Sequence, residues 1–225
     1  MNTRGSPAIC ALLWPCATWV RYLKCMPRKF SRRISFIVVI AVACAACELW
    51  LRLEYGLGNP PLVYRDNSYR YAFAPNQSTV RFGHLIKYNR EGLRSEELDD
   101  RPRVLCLGDS VTNGGSPTDQ SNTFPYLPES ALRLDGKNVQ FLNASSGGWG
   151  PAEEYAFLSR WGIYGSRAVV IEIGTNDFYQ EAADAAVGTD PNFPDRKPVF
   201  AIQELVVRYL MTRGHEPFSE SSKND

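Results

Sequence analysis

Three short stretches of this 225-residue chain carry residue types suited to acyl chemistry. The first, Gly108-Asp109-Ser110-Val111-Thr112-Asn113-Gly114, sets a serine hydroxyl behind a glycine and an aspartate. The second, Asn143-Ala144-Ser145-Ser146-Gly147-Gly148-Trp149-Gly150, is rich in glycine and serine, and the third is Gly174-Thr175-Asn176-Asp177. A serine on a tight strand-to-helix turn is exposed. The helix N-terminus behind it favours the negative charge that develops when the hydroxyl attacks a carbonyl. The backbone N–H of Ser110, that of Gly148 and the side-chain amide of Asn176 are three donors suited to one oxyanion. Glycine fits position 148 because backbone there must come close to a substrate. Asp109, Trp149 and Asp177 are secondary binding candidates, each with a plainer reading. Asp109 shapes the turn, Trp149 packs, and Asp177 bonds loop amides. A phosphate-cradling loop is the rival for the first stretch, but the lysine and spacing of a P-loop and the dinucleotide glycine pattern are both missing.

Each stretch follows a short apolar run. Val104-Leu105-Cys106-Leu107 ends at Gly108, Val139 to Leu142 ends at Asn143, and Ala168 to Ile173 ends at Gly174. Runs that are apolar throughout, rather than alternating, mark strands buried on both faces. Between them Pro151 to Trp161 reads as a helix, with proline in the first turn, acids early and Arg160 late. This alternation predicts an α/β fold built on a parallel sheet, a three-layer α/β/α sandwich of flavodoxin-like type. Right-handed crossovers then bring every strand's C-terminal end to one edge, and the three stretches with them. Phe200 to Met211 has the spacing of an amphipathic helix. The segment 53–100, rich in Tyr, Arg, Asn and Pro, reads as a connector that packs on the domain at 101–225 without strong periodicity.

The three blocks, in this order and about 35 and 30 residues apart, resemble the SGNH (GDSL-type) ester hydrolases. The resemblance covers residues 103–180, and Tyr88-Asn89-Arg90-Glu91-Gly92-Leu93-Arg94 looks like the lead-in of membrane-anchored members. It implies Ser110 as nucleophile, with Gly148 and Asn176 in the oxyanion hole. It implies hydrolysis of an ester, or acyl transfer, on an acylated small molecule, glycan or lipid, with no metal, no cofactor and no nucleic acid. The family also places a general base in an Asp-x-x-His block well past the third strand. The two histidines here are His84, ahead of the nucleophile, and His215 in Thr212-Arg213-Gly214-His215, where threonine takes the aspartate's place. The expectation is therefore a fold incomplete at its C-terminus, with little or no turnover. Its alternatives are a non-catalytic, membrane-tethered binding module and a gene remnant.

Charge and cysteine usage divide the chain. Eight of its 25 Lys/Arg and one of its 24 acids lie in residues 1–53, leaving 17 and 23 for the rest. A basic head on a mildly acidic body suits a membrane or targeting segment rather than a nucleic-acid binder. Five of the six cysteines lie in that head, so Cys106 has no partner for an intradomain disulfide. From Ile34 to Leu51 the only polar members are Ser35 and Glu48. At about 1.5 Å per residue these form a helix of roughly 27 Å, close to the bilayer's hydrocarbon thickness. Arg21, Lys24, Arg28, Lys29, Arg32 and Arg33 precede the run and only Arg52 follows. The basic flank predicts a cytoplasmic N-terminus at 1–33, a transmembrane helix at 34–52 and an extracytoplasmic body. A cleaved signal peptide, a lipidated Cys47 and a buried core helix are the alternatives. Met26 is a second candidate start.

Overall fold

The computed structural model describes residues 28–175 and 186–211. The chain divides into two compact units, Met1–Ala46 and Cys47–Asp225. One helix, α1 (Arg28–Tyr55), runs from the first unit into the second. Its segment Arg32–Tyr55 holds an 18-residue window of mean hydropathy 2.4 and is long and apolar enough to cross a membrane.

The second unit opens with two antiparallel hairpins, β1 (Val63–Asp66) with β2 (Arg70–Phe73), and β3 (Gln77–Arg81) with β4 (His84–Tyr88). The expectation for this segment was a connector without strong periodicity, and the hairpins went unread for a physical reason. The strands hold only four or five residues, too few to show alternation. The β3–β4 turn is Phe82-Gly83, with φ of 53° and 81°. A primed two-residue turn needs that geometry, and phenylalanine does not signal it.

The parallel sheet follows. It contains β5 (Arg103–Gly108), β6 (Gln140–Ser145) and β7 (Ala168–Ile171) in the order β6-β5-β7. All pairs are parallel, with Leu105 opposite both Leu142 and Val169. The one-turn helix α2 (Ser110–Asn113) and α3 (Tyr126–Leu134) lie between β5 and β6, and α4 (Pro151–Trp161) lies between β6 and β7. The α4 helix has the limits that proline and the charge gradient predict. Phe157 of α4 packs with Leu105, Leu107, Leu142, Trp149 and Tyr69 in one buried cluster.

Two expectations change. The third apolar run was expected to be a strand with both faces covered, yet every residue of β7 is exposed. Among the described residues nothing covers its outer edge or closes its faces. The segment 200–211 is a helix, α5, but only Ala201–Glu204 is α-helical, and Leu205–Met211 winds as a wider π-helix. Ala201 is fully buried against Leu51 and Leu57. The buried Arg81 meets Glu204 at 2.5 Å, and Glu204 also accepts the Gly58 N–H at 2.6 Å.

Candidate functional site

Ser110 is exposed at the first position of α2, immediately beyond the C-terminal end of β5. Three features make this turn tight. Gly108 has no room for a Cβ, which would collide with Thr112 and lie 3.0 Å from Glu172 Oε2. Asp109 caps α2, its Oδ1 accepting the Val111 N–H at 2.7 Å. Gly114 ends the turn at φ 82°. A helix of one turn has little macrodipole, so stabilisation of charge at Ser110 rests on unpaired N–H groups rather than on a long helix.

Two buried asparagines stitch the turn to the neighbouring strand. Asn113 Nδ2 donates to the Ser145 carbonyl at 3.0 Å, and Asn143 Nδ2 donates to the Thr112 carbonyl at 2.9 Å. Ser145 Oγ donates in turn to Asn143 Oδ1. These bonds fix the end of β6 beside the end of β5. They bring the glycine pair to the serine: a methyl group on Gly147 would lie 3.8 Å from Ser110 Cβ and 3.4 Å from Tyr71 Oη. The Tyr71 hydroxyl donates to the Gly147 carbonyl at 2.6 Å. Burial first, and then the neighbouring Tyr88, push the Tyr71 phenol well above the usual tyrosine range. It therefore stays protonated and occupied. Gly148 follows at φ 73°, where a side chain is strained.

Trp149 is buried in the core. Its indole N–H donates to the Tyr71 carbonyl at 3.0 Å, and its ring meets Tyr69 and Phe157. Asn176, Asp177 and His215 lie outside the described residues. His84, the one histidine among the described residues, sits on β4 in the field of Asp119. Tyr88, four residues further along that strand, is the residue that reaches Asn113. Four strand residues span about 13 Å, so His84 stands at the far end of β4 from the turn.

Two residues at the site were not read from the sequence. Glu172 follows β7, and its carboxyl is hydrogen-bonded to the Asp109 side chain and to the Asp109 N–H. Thr112 Oγ1 donates to its Oε2 at 3.4 Å. Burial, followed by the charge of Asp109, raises the Glu172 pKa. Arg94 is buried beneath the loop after α2. Its guanidinium donates to the carbonyls of Asn113 (2.7 Å), Gly115 (2.7 Å) and Thr118 (2.6 Å). The only hint in the sequence was the lead-in block that contains it. Among the described residues no group of three or more His, Cys, Asp or Glu could hold a metal ion.

Residues 106–213 match the GDSL-like lipase/acylhydrolase family. No curated protein matches the chain. The matched segment takes in the β5–α2 turn with Ser110, the glycine pair after β6 and the whole of β7. The segment 106–213 is thus a GDSL-like lipase/acylhydrolase domain, of a family whose general activity is ester hydrolysis.

Proposed function

We propose that Ser110 is the nucleophile of a membrane-anchored SGNH-type ester hydrolase. Its oxyanion donors are its own N–H, the Gly148 N–H and the Asn176 amide. The observation that carries the reading is an exposed serine on a tight turn at a parallel strand's C-terminal end, with a glycine backbone held against it. In the reaction Ser110 Oγ bonds to the ester carbonyl carbon and gives its proton to a base. The oxyanion collapses, the alcohol leaves with a proton, and water or another acceptor then takes the acyl group from Ser110. The substrate class is an acylated small molecule, glycan or lipid. Residues 34–52 would span the membrane with 1–33 on the cytoplasmic side, 53–100 would pack on the domain at 101–225, and that domain would lie outside. The layering of that domain as an α/β/α sandwich belongs to the same proposal.

A second reading has its own observation. No described residue stands at Ser110 as a base, because Tyr71 is committed to Gly147 and His84 lies by Asp119. A binding module that holds an acyl group without turnover fits that arrangement. Hydrolysis of p-nitrophenyl acetate by the full chain in detergent separates the two. The enzyme reading expects hydrolysis that passes through an acyl-enzyme on the Ser110 hydroxyl. It also expects Ser110→Ala to remove that hydrolysis and to abolish labelling by a fluorophosphonate probe. A rate that survives Ser110→Ala overturns the nucleophile assignment. A folded chain that neither hydrolyses nor labels is the binding module.

A further inference from the structure

The last turns of α1 and the helix α5 form a pair whose inner faces are fully used. Glu48 accepts the N–H groups of Ala201 (2.8 Å) and Ile202 (3.1 Å), capping α5. Arg52 binds both Glu48 (2.6 Å) and the Val199 carbonyl (2.7 Å). Leu51, Leu57 and Ala201 are buried between the two, and Tyr55, Ile202, Leu205 and Tyr209 pack around them.

The outer faces should then be polar, as on any helix that shows one side to water. They are not. On α1 the outward residues are Leu49, Trp50 and Leu53, the last 76% exposed. On α5 they are Val206, Val207, Leu210 and Met211, exposed from 38% at Val207 to 69% at Met211. The α1 set falls at i, i+1 and i+4, one face of an α-helix, and the α5 set at i, i+1, i+4 and i+5, one face of the wider π winding. Val199 and Phe200, also exposed, join the two sets at the point where Arg52 ties the segments together. Contiguous exposed apolar surface of this kind marks an interface with protein or membrane.

We infer that this outer face of residues 49–53 and 199–211 is a lipid-contacting surface, seated in the boundary between the headgroups and acyl chains of the bilayer. The occupant follows from continuity. One half of the patch is the end of the helix whose segment Arg32–Tyr55 is apolar enough to cross a membrane. The aromatics Trp50 and Phe200, with Arg52 and Lys197 beside them, have the composition of a membrane–water interface. Helix α5 is thus a second membrane-contacting element, separated by some 150 residues of sequence from the first. The inference rests on the membrane reading of α1.

The test places the photoreactive residue p-benzoylphenylalanine singly at Val207, Leu210 and Ile40 of the full chain, and at Leu134 and Tyr155 on α3 and α4 as exposed apolar controls. All these positions are exposed, so the larger side chain displaces no core. Each variant is reconstituted in phosphatidylcholine vesicles and irradiated, and its peptides are weighed for phospholipid adducts. Gain of the phospholipid mass at 207 and 210, at yields comparable with 40 and with none at 134 or 155, is the expected result. Adducts at 40 with none at 207 and 210, or chain-to-chain crosslinks at 207 and 210, overturn the lipid surface and leave the anchor standing. Adducts equally at 134 and 155 overturn it too, because contact would then be unselective. Absence of adducts at 40 removes the membrane reading itself and the inference with it.

Discussion

At the residue scale the least expected residue at the turn of Ser110 is Glu172. A carboxylate directly after an apolar strand reads in the sequence as an interruption. In the structure it closes a ring with Asp109 and Thr112, the residues on either side of the nucleophile's turn. Its carboxyl prefers to be protonated, because burial and the charge of Asp109 both oppose ionisation. The sign of the pH effect follows. Folding holds the Glu172 proton more tightly than the unfolded chain does, so its contribution to stability is complete below the ordinary value of 4.5. That contribution is lost as pH rises from there through the raised value. Glu172→Gln keeps the hydrogen bonds of the protonated form and removes the titration. Thermal unfolding from pH 4 to pH 8 should show the variant gaining on the wild type as pH rises. A constant difference between the two across this range would mean that Glu172 ionises normally. Cys106, directly across from Asn143, is inert by the same physics, its thiol pushed up to about 12 by burial.

At the element scale the nucleophile's turn is held from below by a segment that precedes it in sequence. Arg94 reaches three carbonyls of the loop after α2, and burial lowers its pKa without neutralising it. Asn89 prepares that position, its Oδ1 accepting the N–H groups of Glu91 and Leu93. Arg94→Ala leaves buried carbonyls without donors and should cost about 2–4 kcal/mol in urea unfolding. Arg94→Lys keeps the charge but lacks the planar fork, so it should recover only part of that loss. Full recovery by lysine would reduce the clamp to a charge effect. What could be read from the sequence at this scale has a clear limit. Apolar runs closed by glycine or asparagine disclosed β5, β6 and β7. The Pro151 start and the charge gradient disclosed α4. Arg94 stayed hidden because its partners are backbone carbonyls, which every residue possesses. The bonds of Asn113 to Ser145 and of Asn143 to Thr112 stayed hidden because they join residues 32 and 31 apart, and both asparagines look like turn formers.

At the scale of the whole molecule the sheet order β6-β5-β7 puts the first parallel strand at the centre. Two edges are therefore open, and they differ in kind. Beyond β6, Ser95 Oγ accepts the Asn143 N–H at 2.7 Å, and Arg94 N–H reaches the Asn143 carbonyl at 3.0 Å. Beyond β7 no described residue plays that part, although Val169, Val170 and Ile171 are as apolar as the residues of the central strand. An apolar, unpaired edge is a template for association with another strand. The exposure of Ile171, at 50%, makes the claim measurable. If its face is uncovered in solution, Ile171→Lys removes little packing and should leave the urea midpoint within about 0.5 kcal/mol of the wild type, as surface substitutions do. It should also reduce self-association of the detergent-solubilised chain in light scattering, because an added edge charge repels edge-to-edge pairing. The same change at the fully buried Leu107 provides the scale of a covered strand, a loss that few domains survive. A midpoint for Ile171→Lys that falls toward the Leu107→Lys value would mean that β7 is covered in solution. The open edge would then be closed by another strand, as the β5 edges already are.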